Sequence, residues 1–168
     1  MCYEYFGLPK KTPTVGCFFF PGDFLKMISD LKRYMGYDLS FIPFGESKHK
    51  SALIGKTPCP VGLLGDVEIF FLHYTNEQMV KEKWNRRVER INYENLIFKF
   101  SFMNGCSRGD LQQFNSLNLH GKKLAFVKNK EDVNQENVYY PGFEHEDQIL
   151  NDTYFLDRYF DIISFINK

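Results

Sequence analysis

The sequence lacks a long hydrophobic run, an excess of one charge and closely spaced cysteines. Its longest apolar runs, at residues 15–20 and 69–72, reach about seven residues with their flanks, whereas a membrane-spanning helix needs roughly 20. We therefore expect no transmembrane segment. The N-terminus shows no signal-peptide pattern, which favours a cytoplasmic location.

Charge and cysteine content exclude two further classes of protein. Lys and Arg total 21, as do Asp and Glu, so the formal net charge is zero and no global field attracts nucleic acid. The four cysteines, at positions 2, 17, 59 and 106, are far apart and form no Cys-x-x-Cys pair. This spacing predicts reduced thiols, not a disulfide framework or a zinc site.

The chain has the length and the apolar content of one well-packed domain. With 168 residues it can bury a full core without metal ions or disulfides. Aromatic side chains make up 17% of the residues, and phenylalanine supplies 18 of them. This composition predicts a core filled by rings and argues against disorder.

Apolar stretches alternate with amphipathic patterns along the chain. Strands are predicted at residues 14–20, 38–43, 67–73, 95–102, 122–127 and 137–140. Helices are predicted between Pro21 and Gly36, from Asn76 to about Ile91, after Ser107 and within residues 147–167. The polar stretch 45–56 is predicted as a surface loop or a short exposed helix.

This alternation predicts a single α/β domain over residues 1–168. We expect a three-layer α/β/α arrangement around a mostly parallel central sheet. Residues 14–20, 67–73 and 95–102 are expected to be neighbours in that sheet. Their nearly continuous apolar character is typical of strands that are covered on both faces.

Polar residues flank the strand predicted at 67–73. Asp66 and Glu68 are two apart, so they project from the same side of an extended chain and are candidates to hold Mg²⁺ or Mn²⁺, or to act as a base. The alternative is that they are solvated strand-start residues. His73 lies before a predicted helix start, where an imidazole stays neutral and suits proton transfer; a histidine bonded to the backbone is the alternative.

The helix predicted from Asn76 carries a cluster of cations beside an indole ring. Lys83, Trp84, Arg86, Arg87 and Arg90 recur at spacings that place several of the cations along one side. Arginine forks match the oxygens of a diphosphate or a carboxylate, so this side is a candidate anion site. A solvated, salt-bridged helix face is the alternative.

Two further segments follow predicted strands or turns. Asn104 and Cys106 lie between a strong strand and a helix, at the sheet edge where open α/β folds place ligands. Glu144 opens an acidic run after a Pro-Gly turn and is a third candidate binding residue, able to ligate a cation; an exposed helix start is the alternative. For Asn104 and Cys106 the alternative is a turn followed by a helix cap. We expect Asp66, His73, Arg86 or Arg87, and Asn104 to share one cleft.

The segments 14–21 (TVGCFFFP), 60–74 (PVGLLGDVEIFFLHY) and 83–92 (KWNRRVERIN) resemble a bacterial family of unknown function found with capsule and exopolysaccharide genes. Residues 104–106 and 142–144 fit the same pattern, so the resemblance covers nearly the whole chain. It implies a role in exopolysaccharide or capsular polysaccharide biosynthesis. Gly65 replaces an acidic residue expected in that family, which weakens a metal site built on adjacent carboxylates.

Within this resemblance, the leading hypothesis is a glycosyltransferase-like transferase acting on a nucleotide sugar or a polysaccharide precursor. In it the arginines bind the diphosphate, Asp66 and Glu68 hold a metal or act as base, and His73 polarises the acceptor. The alternative is a non-catalytic saccharide-binding or assembly protein of the capsule machinery. A hydrolase or deacetylase of cell-surface glycan is a third hypothesis.

Members of the resembled family carry a further strand ahead of the region that begins here at Tyr3, and this chain lacks it. A missing strand leaves the backbone groups of its neighbour unpaired. We expect the segment 14–20 to be that exposed edge. It is then paired in a homodimer, covered by residues 2–11, or a cause of poor solubility.

Overall fold

The computed structural model describes residues 12–152 and 160–167, which combine helices and strands. Contacts between residues divide the chain into two compact units. Among the described residues, the N-terminal unit comprises residues 12–92, and the C-terminal unit comprises residues 93–152 and 160–167. Each unit contains a three-stranded sheet.

Two consecutive helices open the N-terminal unit. Helix α1 (Pro21–Ser29) starts with a proline, whose missing N–H is no loss in a first turn, and α2 (Leu31–Met35) ends before Gly36. Between them Asp30 has a φ of −143°, so the one helix predicted there is two. Of the predicted apolar face, Met27, Ile28 and Met35 are buried, and Phe24 and Leu31 are partly buried.

An antiparallel sheet follows these helices. Strands β1 (Ser40–Ile42), β2 (Val61–Leu64) and β3 (Val67–Phe70) pair in the order β1-β2-β3. A two-residue turn, Gly65-Asp66, joins β2 to β3, and Gly65 has a positive φ of 61° that hairpin turns favour in glycine. All four residues of β3 are buried, so this strand is covered on both faces.

Short helical segments complete the N-terminal unit. The polar stretch after β1 contains two 3-10 helices, Phe44–Glu46 and Lys50–Leu53. Helix α3 (Glu77–Val88) begins after Asn76, whose side chain accepts a hydrogen bond from the Met79 N–H at 3.2 Å. This cap confirms the predicted start of the helix.

The C-terminal unit contains a parallel sheet. Strands β4 (Ile97–Ser101), β5 (Lys122–Val127) and β6 (Asn137–Tyr139) pair in the order β4-β5-β6. The predicted strands 95–102, 122–127 and 137–140 match these elements closely. Their parallel direction requires a crossover connection between consecutive strands.

Helix α4 (Arg108–Ser116) makes the crossover from β4 to β5. Ser107 caps it through its hydroxyl, and Asp110 completes a capping box by accepting from the Ser107 backbone N–H. A last helix, α5 (Ile162–Asn167), falls in the tail where helices are predicted. Residues 153–159 of that tail, and residues 2–11, lie outside the described residues.

The prediction that residues 14–20, 67–73 and 95–102 are neighbours in one sheet is wrong. Residues 14–20 form no strand, and a single bridge between Phe18 and Phe70 joins them to β3. A turn at residues 13–16 and the helix start at Pro21 leave too little extended chain for a ladder. Strands β3 and β4 belong to different sheets.

The strand β2 is missing from the sequence prediction, which places a glycine-containing loop there. Gly62 is buried in β2, and a Cβ at this position would lie 2.7 Å from Leu39 and 2.8 Å from Phe71. The glycine therefore reflects close side-chain packing, not a turn. The chain is a mixed helix and strand protein with one antiparallel and one parallel sheet, and a three-layer arrangement is not confirmed.

Among the helices of residues 12–152 and 160–167, none combines the length and the apolar character needed to span a membrane.

Candidate functional site

A buried carboxylate, Asp23, is the centre of the candidate site. It lies in the first turn of α1 and is 3% exposed. One oxygen accepts hydrogen bonds from the Lys48 ammonium and, at 3.2 Å, from the Glu68 backbone N–H. The other oxygen lies 2.5 Å from Nε2 of His49. Two segments distant in sequence, residues 48–49 and strand β3, therefore meet at the carboxylate of Asp23.

A second buried carboxylate holds the loop that carries the lysine and the histidine. Glu68 accepts hydrogen bonds from the Ser47 hydroxyl at 2.5 Å and from the Lys48 backbone N–H at 2.9 Å. The Ser47 hydroxyl oxygen also accepts from the His49 backbone N–H at 3.0 Å. Both oxygens of Glu68 are thus used to fix residues 47–49 against β3.

The imidazole of His49 is held on one face and at one nitrogen. Phe20 stacks on the ring with centroids 4.0 Å apart and planes at 19°, and the Phe70 ring lies 6.3 Å away. The side chain is 24% exposed, and Nδ1 makes no hydrogen bond within the described parts of the chain. An imidazole fixed by a carboxylate at one nitrogen, with the other open, is the arrangement of a general base.

Lys48 adds a positive charge beside this pair. Its ammonium contacts Asp23 and donates to the Asp66 carbonyl oxygen at 2.7 Å. The side chain is 45% exposed, so the ammonium remains accessible from solvent. A half-exposed ammonium next to an imidazole can stabilise negative charge on a phosphate or on a developing oxyanion.

Asp66 lies beside this cluster at the β2–β3 turn. Its carboxylate accepts from the Lys26 ammonium and, at 2.9 Å, from the Tyr34 hydroxyl. These hydrogen bonds, that of Lys26 first, hold the pKa of Asp66 below its ordinary value. Burial, followed by the hydrogen bond to Asp66, raises the pKa of Tyr34.

A groove of about 320 Å³ lies in the same unit. Phe44 and Tyr74 line it together with apolar and polar neighbours, which are Ile42, Pro43, Pro58, Cys59, Pro60, Thr75 and Glu77. The Phe44 ring packs 6.5 Å from Phe70, whose ring also contacts His49. The Phe70 ring therefore contacts both Phe44, which lines the groove, and His49, which does not.

The predicted residues of the N-terminal unit occupy different places. Asp66 and His73 lie at opposite ends of β3. His73 adjoins the turn at residues 13–16, because a Cβ on Gly16 would lie 3.2 Å from its ring. The Arg87 guanidinium donates to the Val15 carbonyl of the same turn at 3.2 Å. The structure therefore brings His73 and Arg87 to one turn, away from the Gly65-Asp66 hairpin.

The remaining residues of the predicted anion site are partly structural. Trp84 is buried and packs edge-on against Phe71, with centroids 6.0 Å apart. Arg86 and Arg90 are exposed on and beyond the last turn of α3. The Lys83 ammonium lies 4.8 Å above the Tyr74 ring, at the groove.

Three predicted binding residues belong to the C-terminal unit. Asn104 has a φ of 60° in the turn after β4, and Cys106 is buried. Burial raises the pKa of the Cys106 thiol to about 12, so it is protonated at neutral pH. Glu144 accepts from the Tyr139 hydroxyl and from the Gly142 N–H at 3.0 Å. Its own backbone N–H and that of Gly142 hold its pKa below the ordinary value.

The carboxylates predicted to hold a metal already have hydrogen-bond donors at every oxygen. Asp66 accepts from Tyr34 and Lys26, and Glu68 accepts from Ser47 and from the Lys48 backbone. A cation between them would have to displace these donors. No group of three or more His, Cys, Asp or Glu side chains suited to a metal occurs in the described part of the chain. Metal binding by Asp66 and Glu68 stays a prediction.

Sequence reasoning missed Asp23, Ser47, Lys48 and His49 as site residues. One signal was present: Asp23 is four residues before Met27, so it lies on the apolar face of the predicted helix. A charge on such a face needs buried partners. Nothing in the spacing identifies the partners of Asp23, because they lie 25 or more residues away along the chain.

The fold and the site define a protein of mixed helices and strands with a buried carboxylate–imidazole pair. The chain belongs to the family described as "Domain of unknown function (DUF1919)", whose model matches residues 1–167. It is also similar to an uncharacterized protein of Haemophilus influenzae, with 30% identity over 141 residues. That alignment covers 84% of this chain and 63% of the relative, so the chain spans less than two thirds of the relative's length.

Proposed function

We propose that this protein is a glycosyltransferase-like transferase that acts on an activated sugar in exopolysaccharide or capsular polysaccharide biosynthesis. The observation that carries the proposal is the His49 imidazole, fixed 2.5 Å from the buried Asp23 carboxylate and open at its other nitrogen. The sugar and the pathway come from the family resemblance of the sequence. The acid–base chemistry comes from the site.

His49 is assigned as the general base. With Nε2–H directed at Asp23, Nδ1 carries the lone pair that accepts the proton of an acceptor hydroxyl. The hydroxyl oxygen forms a bond to the anomeric carbon of the donor sugar, and the bond from that carbon to the departing phosphate oxygen breaks. Asp23 stabilises the imidazolium that results. Asp66 and Glu68 are less suited to this role, because donors already occupy their oxygens.

Lys48 is assigned to the departing phosphate. Its ammonium contacts the same carboxylate as His49 and is accessible from solvent. The arginines of α3 remain candidates for a second phosphate contact. Within the described residues, no hydrogen bond or ion pair joins Arg86, Arg87 or Arg90 to Asp23 or His49.

A non-catalytic saccharide-binding role is the second candidate. The observation that favours it is the groove of about 320 Å³, where the Phe44 and Tyr74 rings stand beside Thr75 and Glu77. Aromatic faces next to polar groups are a common way to hold a sugar ring. In this role the groove holds the saccharide and His49 transfers no proton.

The test measures binding and turnover separately. A thermal-shift screen of nucleotide sugars, with and without Mg²⁺ or Mn²⁺, should identify a stabilising donor; a ligand at one hundred times its Kd stabilises by about 2.7 kcal/mol. With that donor, His49→Gln should lower turnover by about 10²–10⁴-fold while the thermal shift is retained. His120→Gln, an exposed histidine, is the matched control.

A rescue experiment shows whether the His49 variants lose turnover because the base is missing or because the protein is misfolded. Imidazole added to His49→Ala should recover part of the lost turnover, because it supplies the missing base. Stabilisation by oligosaccharides alone, with no release of nucleotide, would support the binding role instead. Full turnover in His49→Gln would refute the assignment of the base.

A further inference from the structure

Two accessible ammonium groups meet at the hairpin turn beside the His49 site. The Lys48 ammonium donates to the Asp66 carbonyl oxygen at 2.7 Å, and the Lys26 ammonium contacts the Asp66 carboxylate. Both cations therefore contact one residue, although Lys26 belongs to α1 and Lys48 lies between the two 3-10 helices. Their side chains are 52% and 45% exposed, so a ligand in solvent can reach both.

Each ammonium has hydrogen-bond donors left for a ligand. An ammonium carries three N–H groups. Within the described residues, Lys48 directs two of them at Asp23 and at the Asp66 carbonyl oxygen, and Lys26 directs one at the Asp66 carboxylate. The buried Asp23 fixes the position of Lys48. The exposed pair of Lys26 and Asp66 is of the kind that contributes little to stability, so Lys26 can turn towards a ligand at small cost.

Arg33 of α2 adds a third positive charge near this hairpin. The Tyr37 ring packs on the turn, because a Cβ on Gly65 would lie 3.1 Å from it, and the Arg33 Nε donates to the Tyr37 hydroxyl at 2.8 Å. The guanidinium lies 6.0 Å from the ring centre of Tyr34, whose hydroxyl donates to Asp66. Arg33 makes no ion pair within the described chain. Its charge therefore remains available to attract an anion.

The positions of these cations suit an anion that carries two phosphates. Lys48 shares Asp23 with His49, so a phosphate bound to Lys48 lies beside the base. Lys26 reaches the same hairpin residue from α1, so a second phosphate attached to the first can meet its ammonium. The hydrogen bond to Asp66 raises the pKa of Lys26, and the charge of Asp23 adds to the rise, which places Lys26 within electrostatic range of Asp23.

We propose that Lys26 binds the second phosphate of a diphosphate at the His49 site, and that Asp66 holds Lys26 while the site is empty. The proposal rests on the function proposed above, which assigns the departing phosphate to Lys48. The donor is then a sugar linked through a diphosphate, not a sugar monophosphate. Asp66 competes with the second phosphate for Lys26 and so limits the affinity of the site.

Inorganic phosphate and pyrophosphate probe this contact without any turnover. In isothermal titration calorimetry of the full chain, the wild type should bind pyrophosphate about tenfold or more tightly than phosphate, because it gains a second charge-assisted contact. Lys26→Gln should lose most of this preference. Lys81→Gln, at an exposed lysine of α3, is the matched control and should bind both anions as the wild type does.

Removal of the competing carboxylate should have the opposite effect. Asp66→Asn should strengthen pyrophosphate binding by about two- to fivefold, the range expected from the loss of an exposed ion pair. A misfolded variant cannot bind more tightly, so this gain is independent of folding. In the double variant Lys26→Gln/Asp66→Asn the gain should disappear. A general loss of negative charge would instead strengthen binding with or without Lys26.

The proposal is overturned if the wild type does not prefer pyrophosphate to phosphate, if Lys26→Gln keeps the preference, or if Asp66→Asn gives the same gain without Lys26. Failure of the proposed function gives a different result. The preference for pyrophosphate and its dependence on Lys26 would then be intact, while no sugar donor is turned over or His49→Gln retains full turnover. The diphosphate contact would stand in that case as a binding site.

Discussion

Each of the two units contains a buried carboxylate that accepts a hydrogen bond from a serine hydroxyl, but the two carboxylates have different further partners. In the N-terminal unit Glu68 accepts from Ser47 and belongs to a network that ends at the half-exposed ring of His49. In the C-terminal unit Asp152 is 6% exposed and accepts from the hydroxyl of Ser101. Of these two carboxylates, Glu68 is linked through the Ser47 hydroxyl to the backbone of His49, whereas the partners of Asp152 among the described residues are Ser101 and Lys99.

The sheets differ in how local their connections are. In the N-terminal unit a two-residue hairpin sets the register of β2 against β3. In the C-terminal unit α4 separates β4 from its partner β5, so their register depends on packing between elements distant in sequence. Loop closure over such distances makes parallel pairing the slower step in folding. Asp23 and His49 belong to the unit that contains this local hairpin.

The largest expected effect on stability comes from truncating one core phenylalanine in each unit. Phe70 in β3 and Phe126 in β5 are each at most 1% exposed and touch several other rings. Each change to alanine should lower the free energy of unfolding by about 3–5 kcal/mol, because it leaves a cavity among packed rings. Denaturant unfolding measures the loss.

Hydrogen exchange would then show whether each core supports its own unit. We expect Phe70→Ala to reduce protection mainly in β2 and β3, and Phe126→Ala mainly in β4 and β5. Leu72→Ala, at a side chain that is 54% exposed, is the control and should change stability by no more than about 0.5 kcal/mol. Equal loss of protection in both units for either variant would contradict the distinction between two cores.

Replacing a tightly packed glycine in each unit by alanine should give the next largest loss of stability, and the loss should differ between the units. A Cβ on Gly121 would lie 2.6 Å from the Leu96 backbone oxygen, at a φ of 150°. Gly121→Ala should cost about 2–4 kcal/mol, because a backbone atom cannot move aside and the conformation is strained. Gly62→Ala should cost about 1–3 kcal/mol, since only side chains oppose it.

Gly22→Ala is the matched control for these glycines. The site in α1 is open, with no atom within 4 Å of the added Cβ. Because Gly22 lies in the first turn of the helix, the change should stabilise the protein slightly, by up to about 0.5 kcal/mol, less than at a mid-helix glycine. A ranking by thermal denaturation in which Gly62→Ala is worse than Gly121→Ala would show that the core of the N-terminal unit is the less adaptable one.

Neutralising Glu68 or Asp152, one buried carboxylate from each unit, should give a smaller effect. Glu68→Gln should cost about 1–3 kcal/mol, because a glutamine NH₂ group must face either the Ser47 hydroxyl or the Lys48 N–H, both of which are donors here. Asp152→Asn should cost less, about 1 kcal/mol, since one amide oxygen can still accept from Ser101 and from Lys99.

Urea unfolding of both variants, with the exposed Glu46→Gln as control, compares the carboxylates directly. A similar and small loss in both would mean that Glu68 does not hold residues 47–49 in place. The position assigned to His49 would then need another support.

How much of this molecule follows from the sequence differs between the units. In the C-terminal unit the pattern predicts β4, β5, β6 and the Ser107 cap, because buried parallel strands and capping residues leave clear local signals. In the N-terminal unit residues 14–20 look like a strand but make one bridge, and β2 looks like a loop because of Gly62. Whether each of these segments forms a strand depends on its pairing partner, which lies elsewhere in the sequence.

The candidate site was harder to predict for the same reason. The sequence suggests that Asp66 and Glu68 act as a pair. In the structure their carboxylates bind different partners: Asp66 accepts from Tyr34, and Glu68 accepts from Ser47. His49 lies in a polar stretch that local patterns describe as surface. Its proximity to Asp23 depends on how α1 packs against β3, and no spacing in the sequence encodes that.

The smallest expected effect concerns two exposed carboxylates whose pKa values are lowered by different donors. The ammonium of Lys26 and then the hydroxyl of Tyr34 lower the pKa of Asp66, whereas backbone N–H groups lower that of Glu144. A lowered folded-state pKa contributes stability above the unfolded values of 3.8 and 4.5, and that stability is lost as the pH falls through the folded-state pKa. Asp66→Asn and Glu144→Gln should therefore each make the Tm less dependent on pH at acid pH.

Added salt should change the stability contribution of Asp66 more than that of Glu144. Lys26 and Asp66 are 52% and 62% exposed, so added salt should screen their attraction and bring the acid dependence of the wild type close to that of Asp66→Asn. The Glu144 contribution should persist in salt, because short backbone hydrogen bonds are screened less. Asp147→Asn, which removes a carboxylate without hydrogen bonds in the described structure, is the control and should follow the wild type. If salt removes the effect of Glu144→Gln and leaves that of Asp66→Asn, the donors identified for the two carboxylates are wrong.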